Sequence, residues 1–566
     1  MPQPDAPTRS LTLLRFVLLV VLVLLVCGRT VVSHINLARD PARMNDDSRI
    51  LIVPFLRYHD PRIATDYVTR YLQDGLPLGY EWGMILASKI VDPRVLSKVL
   101  PYPFLLLLAI TVGAAAKRLG GCGAAWMAMA IALTSELFID RMSGGLPRMF
   151  AFPLVAAAAL GLVYGRTYWV CAAVVVGAMF YPAAGLVCGL VLTALLLLVP
   201  ARDRGDAAMW TVRKRLLVLT STAALSAILL APTALRLRAY GPTLGPKQAA
   251  AYPEMGPGGR FGPRDRPPFR LIRQSMEAVV RTLSGPRLGE RADGTYSYRF
   301  IRRPTVLVPA ALAGIAGLYL ASSSSAGRRL LALCVAAVVG HVSANLLLPN
   351  LYLPQRYTLY AIPIFIVVVL PAGLVLLARR LMPSDRARPL RATLLVLCFA
   401  GLLAAMGVGM KTDAGLRHVA RSSLPVMAFI NTLPPDAVIA GWPRGAIEDV
   451  PYVTGRRAFL TAETHATFHQ VYTDRMRERA AAAIDAYFAT DVAPLRALHA
   501  QHAVTHFVVD RTHYVTPPAY FAPFDALIPP RFEAAKQDGA EALRQTSAIV
   551  YDDGTYIMLD LSRVRP

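Results

Sequence analysis

The stretch NDDSR, Asn45–Arg49, sets two adjacent carboxylates, Asp46 and Asp47, beside a guanidinium. Carboxylates so placed can take a proton from an acceptor hydroxyl, or hold a divalent cation against a diphosphate. Directly after it, ILIVPFLRYHDPRIATDYVTRYLQDGLPLGYEWG mixes apolar patches with Arg57, His59, Asp60, Asp66 and Arg70. Farther on, IDRMSGGLPRMFAFPL from Ile139 gathers Asp140, Arg141 and Arg148 around a turn of small residues, Ser143, Gly144 and Gly145, where glycine lets backbone approach a ligand closely. NLYLPQRYTLYAIP adds Arg356 and Tyr357 at a proline-defined loop, and a guanidinium suits bidentate contact with phosphate.

Plainer roles compete for each group. Asp46 or Asp47 can cap a helix beginning near Ser48. Arg148, at the start of an apolar run, can snorkel to the interface, and Arg356 with Tyr357 can serve as an interfacial anchor. The tail histidines His465, His469, His499, His502, His506 and His513 follow no tight ligand spacing and have no cysteine partners, so they do not read as a metal centre. No P-loop, GxSxG, HExxH or dinucleotide fingerprint stands in a strand-to-helix context, which disfavours ATP-driven transport and soluble-hydrolase chemistry.

The elements that must position these groups are membrane helices. The 566 residues are 55% hydrophobic and 17% charged, with several apolar runs long enough to cross a bilayer. The net charge of +24 lies largely between those runs, which points to membrane lipids and not to nucleic acid. The six cysteines lie within apolar runs or at a short connection, so no disulfide framework is implied. A run from Leu11 to Val32 is too long for a signal peptide and reads as a retained first helix. Further spans fall at 101–117, 123–139, 148–164, 168–181, 183–199, 216–235, 304–320, 329–348, 357–377 and 391–410, with a hairpin turn at Tyr181-Pro182, for a total of about eleven.

The connections KRLGG, ARDRGDAAMWTVRKR, AGRR and ARRLMPSDRARPLR carry the Arg and Lys excess of a cytoplasmic side. The N-terminus is then cytoplasmic, while loops 33–100 and 236–303 and the tail 411–566 face outward. The first outer loop is expected to lie on the membrane surface as short amphipathic helices, a lid over a lipid-facing cavity. The Pro/Gly/Arg stretch from Tyr252 to Arg270 reads as a mobile loop. In the tail, DAVIAGW, HFVVD, AIVYDD and YIMLDL read as strands and DRMRERAAAAIDAYF as a helix, which predicts a small α/β domain after a transmembrane domain spanning 1–410.

These features together resemble the GT-C class of membrane glycosyltransferases, and within it most nearly the oligosaccharyltransferase catalytic subunit. NDDSR is similar to the family's first-loop acidic segment ending in Arg, which makes Asp46 or Asp47 the counterpart of its essential acid. DRMSGGLPRMF resembles the second-loop turn; Arg141 and Gly145 match, but Arg148 and Phe150 occupy the positions of an acidic pair that would supply metal ligands. GWPRGAIEDVPYVTGRRAFLTAE keeps Trp442 of the tail motif and replaces its acid, so transfer to a sequon asparagine is not implied. Arg356 matches the class's habit of a late basic residue near the carrier phosphate.

The resemblance implies a polytopic α-helical membrane protein with a GT-C-like core, moving a sugar from a polyprenyl-phosphate-type donor to an envelope glycolipid, polysaccharide or protein at the outer face of the cytoplasmic (inner) membrane. Asp46 and Asp47 would act on the acceptor hydroxyl. Arg148, Arg356 and Arg141 would bind the donor phosphate, with Asp60, Asp66, Tyr357 and Trp442 as further contacts. A divalent cation, Mg or Mn, would take Asp46 or Asp47 as its ligand if the enzyme uses one, and the departures point toward weak metal dependence or none. The alternatives are a scaffold of an envelope-assembly complex, with protein partners, that kept the fold and lost the chemistry, or a transporter of a lipid-linked solute. A transporter should show related halves and polar groups near mid-membrane, whereas here the polar groups cluster at one face.

Overall fold

The computed structural model describes residues 28, 31–260, 267–283, 304–347, 353–407, 415–416, 418–419 and 423–565. The expected first helix from Leu11 lies almost entirely outside the described residues. Each other apolar run forms a helix, and proline, glycine and charge mark the ends. Pro101–Gly120 begins on its proline, carries Lys117 and Arg118 in its last turn where they complement the helix dipole, and stops at Gly121. The chain also breaks at Tyr181-Pro182, between Thr167–Phe180 and Pro182–Leu197. These two helices meet through bare backbone: a Cβ on Gly177 would stand 2.4 Å from the Cα of Gly185.

The expected count of eleven spans is met in part by the helices of the described residues, which leave out nearly all of the first. Among the described residues five helices are long and apolar enough to cross a membrane: Pro93–Gly120, Pro147–Tyr164, Val212–Tyr240, Ser325–Leu346 and Gln355–Leu381. A sixth is reached if Cys122–Thr134 and Glu136–Met142, bent by 54°, make one span. The hairpin helices have 14 and 16 residues. At about 1.5 Å per residue they fall short of a hydrocarbon core about 30 Å thick.

Pro101–Gly120, Ala151–Tyr164 and Gln355–Leu381 run from the NDDSR end of the bundle to the opposite end. At that far end the basic connections gather. Arg379 Nη2 donates to Gly120 O at 3.2 Å, Arg328 Nε to Asp203 Oδ2 at 2.7 Å, and Arg329 Nη1 to Asp203 O at 2.7 Å. The polar chemistry of NDDSR and the basic connections therefore occupy opposite ends of one helical bundle.

Strand β1 (Arg43–Met44) pairs antiparallel with β2 (His418–Val419), tying the chain just before NDDSR to the start of the tail. The tail then forms β3 (Val438–Gly441), β4 (Arg457–Ala458), β5 (His506–Asp510), β6 (Ile549–Asp552) and β7 (Tyr556–Asp560), in the order β4-β3-β5-β7-β6. β3 runs parallel to β4 and β5, and β7 antiparallel to β5 and β6. Burial follows the apolar runs: β7 is buried along four of its five residues, and helix Gln470–Tyr487 packs Tyr472, Met476, Ala480, Ile484 and Tyr487 inward.

Two outer segments differ from their expected state. The helix Tyr67–Asp74 buries Val68 and Tyr71 in the tail's core, with Tyr71 stacked 3.6 Å from Tyr472, so aromatic packing against protein holds this part of the loop. Within the expected mobile loop Tyr252–Arg270, the described residues 252–260 are pinned to the tail and 267–270 begin the helix Pro267–Thr282. Tyr252 OH donates to Asp474 Oδ1 at 3.1 Å, Arg477 Nε lies 3.0 Å from Glu254 Oε1, and Ala522 N donates to Gly258 O at 3.2 Å. Composition rich in Pro, Gly and Arg suggested disorder, but specific partners from the tail supply the order.

Candidate functional site

NDDSR folds as a turn into the short helix Ser48–Leu51, which places its two acids on different neighbours. Asp47 stands at the N-cap position, yet its side chain makes no cap hydrogen bond. Its carboxylate instead receives Arg148 in a direct ion pair. Arg148 is held by three groups, since its Nη2 also donates to Asn45 Oδ1 at 3.0 Å and its Nε to Arg141 O at 3.2 Å. This is neither capping by Asp47 nor free snorkelling by Arg148.

Burial pushes the Asp47 carboxyl up, but the guanidinium of Arg148, joined by the charges of Arg141 and Arg356, outweighs this and holds it below the usual carboxylate range. Asp47 thus lies in the field of the three arginines expected at a phosphate. Arg141 lies 3.8 Å from Asp140, and its buried Nε meets no hydrogen-bond acceptor among the described residues. Asp140 in turn takes Arg281 Nη2 at 2.7 Å.

The turn that carries Arg141 and Arg148 needs its glycines. Gly144 and Gly145 adopt φ of +94° and +64°. A Cβ on Gly144 would stand 2.6 Å from Ser48 Oγ and 2.7 Å from Asn45 Cβ, and one on Gly145 would stand 2.6 Å from Ser97 Cα. Their carbonyls are used as well: Ser48 Oγ donates to Gly144 O at 2.9 Å and Tyr80 OH to Gly145 O at 2.8 Å. Asn45 Nδ2 closes the arrangement on Gly415 O at 2.7 Å.

Asp46 points the other way, with 61% of its side chain exposed against 36% for Asp47, and pairs with Arg49. Arg49 is buried and also reaches Glu448 at 3.1 Å and Asp449 at 3.6 Å on the tail helix Ala446–Thr454. A third carboxylate shares this region, Glu463. Burial pushes it up; Arg260 and Arg49 oppose that, while the like charges of Asp46 and Asp47 add to it. Arg260, from the outer loop, donates to Glu463 Oε2 at 2.7 Å and to His465 O at 3.2 Å. The sequence reading missed Glu448, Asp449, Glu463 and Arg260, because nothing local in TAETHATFHQ or MGPGGR marks a residue whose partner comes from another segment.

The remaining expected contacts lie elsewhere. Asp60 is bound by Arg62 at 2.8 Å on the surface. Asp66 caps helix Tyr67–Asp74, accepting from Thr69 N at 2.8 Å, and lines a groove with Arg49 and Arg57 between first loop and tail. Tyr357 is buried against Gly340. Trp442 is buried among Tyr487, Phe488, His513 and Tyr520 of the tail.

A divalent cation fits this donor set poorly. Each carboxylate already has a guanidinium, Asp46 with Arg49, Asp47 with Arg148 and Glu463 with Arg260. The charge near Asp47 is in cationic excess, the reverse of what a metal ligand set provides. Among the described residues no group of three or more His, Cys, Asp or Glu side chains is arranged to hold a metal.

No family model and no curated protein matches the sequence. Solved structures match in fold. The archaeal oligosaccharyltransferase AglB of Archaeoglobus fulgidus, determined with an inhibitory peptide and a dolichol-phosphate, is 10% identical, at a TM-score of 0.50 over 96% of this chain and 75% of that one. The A. fulgidus oligosaccharyltransferase in complex with Zn and sulfate is 12% identical, at 0.50 over 86% and 68%. ArnT of Cupriavidus metallidurans, bound to undecaprenyl phosphate, is 13% identical, at 0.53 over 97% and 99%. With its apolar helices and these matches across nearly its whole length, the chain is a multi-pass membrane protein of the GT-C fold, distantly resembling the GT-C glycosyltransferases.

Proposed function

We propose that the protein is a membrane glycosyltransferase that moves a sugar from a polyprenyl-phosphate-type donor to an envelope glycolipid, polysaccharide or protein acceptor at the outer face of the cytoplasmic membrane. The observation that carries this reading is the Asp47 carboxylate set among Arg148, Arg141 and Arg356. It lies at the end of the bundle opposite the basic connections. The positive-inside bias makes that far end cytoplasmic, with the N-terminus, and turns the site and the tail domain outward on a frame of about eleven spans. That neighbours of the same fold were determined with dolichol-phosphate and undecaprenyl phosphate supports a lipid-linked donor.

In this reading the acceptor hydroxyl oxygen attacks the anomeric carbon while the bond from that carbon to the phosphate oxygen breaks, its electron pair leaving with the polyprenyl phosphate. Arg148, Arg141 and Arg356 stabilise the departing phosphate, whose charge grows in the transition state. Asp47 takes the hydroxyl proton. Its ion pair with Arg148 makes it a weak base in the free enzyme. A donor phosphate that claims part of the Arg148 charge raises its basicity, coupling proton acceptance to donor binding. Asp46, exposed and paired with Arg49, takes no part in this step; Arg49 holds the loop to the tail through Glu448 and Asp449. No step uses a metal.

Purified protein incubated with a panel of polyprenyl-phosphate sugars should release the carrier, and chelator should leave the rate unchanged. Asp47→Asn should slow release by about 100-fold or more, the range of a positioned general base. Wild-type rates in Asp47→Asn would sink the assignment of Asp47. Absence of release with every donor and acceptor would favour the scaffold reading.

A further inference from the structure

The tail sheet has a topological switch beside β3. The chain leaves β3 through helix Ala446–Thr454 to β4 on one side, and later enters β5 on the other. Ligands in open sheets of parallel strands gather in the crevice at the carboxyl ends where strand order reverses. Here the crevice holds a cavity of about 220 Å³, lined among others by Trp442, Arg444, Tyr487, Asp510, His513 and Tyr556. That volume is the share of roughly seven liquid waters, at about 30 Å³ each. It suits a small solute.

The polar groups of this crevice are organised. Asp510 N donates to Tyr487 OH at 2.9 Å, and the Tyr487 hydroxyl lies 2.8 Å from His513 Nδ1 and 3.3 Å from Asp510 O. Assigning the tyrosine proton to its shorter contact leaves the imidazole proton on Nε2. His513 Nε2 faces Asp510 Oδ2 at 3.9 Å, too far for a direct hydrogen bond. The other oxygen, Asp510 Oδ1, is fixed by Thr512 N at 2.9 Å and Thr512 Oγ1 at 2.6 Å. A donor and an acceptor therefore stand apart at one place, spaced so that a single hydroxyl can accept from the imidazole and donate to the carboxylate. Trp442 lies edge-to-face with His513 at 6.0 Å, which puts an apolar ring beside the polar pair.

We propose that this crevice binds a monosaccharide unit, through a hydroxyl bridging His513 and Asp510 and apolar contact of the sugar's C–H groups with the accessible wall at Pro518 and Ala519. A hydroxylated ring is the ligand class that needs both an apolar wall and a carboxylate acceptor. At the N-terminus of helix Ala446–Thr454 the Gly445 N–H is taken by the helix's own side chain, donating to Glu448 Oε2 at 3.2 Å, while Arg444 lines the crevice, so inorganic phosphate is the competitor the test must include. The same helix carries Glu448 and Asp449 onto Arg49, so a sugar held here sits on the element that meets NDDSR. The proposal requires sugar binding in the tail and does not depend on transfer at Asp47.

The test is saturation-transfer NMR on the full-length protein in nanodiscs, with methyl glycosides of glucose, galactose, mannose and arabinose as probes. At least one should bind saturably. Its Kd should rise about tenfold in Asp510→Asn, which keeps the Oδ1 contacts with Thr512 but removes the charge, and in His513→Gln. Binding should persist in Asp47→Asn. The proposal is overturned if no glycoside binds, if both tail variants bind as the parent does while unfolding at the parent's temperature, if Asp47→Asn abolishes binding, or if inorganic phosphate displaces the sugar.

Discussion

At the scale of single residues, the adjacent acids of NDDSR have different environments although they are chemically identical. Asp47 turns toward three guanidiniums and Asp46 toward solvent and Arg49. Because the arginines hold Asp47 below the ordinary carboxylate range, it stays ionised, and able to accept a proton, to lower pH than a free carboxylate. The acid limb of the kcat/KM profile, which reports the free enzyme, is therefore expected below the normal Asp range. Arg148→Gln should move that limb to higher pH as well as lower the rate, because it removes the largest charge opposing burial. A limb that stays in place in Arg148→Gln would mean that another group titrates.

At the scale of elements, the turn Ser143-Gly144-Gly145 determines whether Arg148 can reach Asp47. Alanine at Gly144 would meet φ of +94° and a Cβ within 2.7 Å of two atoms of the Asn45–Ser48 segment. A left-handed conformation alone costs an L-residue roughly 1–2 kcal/mol. Gly144→Ala is expected to displace the acid segment and lose transfer activity while most of the protein still folds, as read by carrier release against thermal unfolding in detergent. Equal activity of Gly144→Ala and parent would show that the turn does not position the site. The glycines were visible in the sequence as a turn that lets backbone come close. The partner that comes close is the Asn45–Ser48 segment itself, and only folding brings it there.

At the scale of the whole molecule, Arg49 joins the membrane bundle to the tail. Its guanidinium is buried, and of its carboxylate partners Asp449 is buried, Glu448 largely so, and Asp46 exposed. Burial lowers its pKa, but Glu448, Asp46 and Asp449 together raise it above the ordinary arginine value. Removing one partner of a buried charge set leaves the others unpaired, at a cost of about 3–5 kcal/mol, whereas the exposed Asp46 contact contributes little. Arg49→Met should therefore lower the unfolding temperature and speed proteolytic release of the tail, and Asp46→Asn should do neither to a comparable degree. If both variants matched the parent, the bundle and tail would be held by other contacts, among them the loop 252–260 with its Tyr252, Glu254 and Arg260 partners.

The apolar helices, the break at Tyr181-Pro182 and the strands of the tail were legible in the sequence, because hydropathy, proline placement and period-two alternation are properties of neighbouring residues. The bend at Ser135 was not, since a helix broken by 54° looks continuous in hydropathy alone. Tertiary structure decided which aspartate faces the arginines, for Asp47 and Arg148 are 101 residues apart and meet only when two helices pack. It also decided that Glu463 and Arg260 join the region, and that Asp510 and His513 open on one crevice with Trp442. Those assignments depend on charge pairing and burial across segments that no local pattern connects.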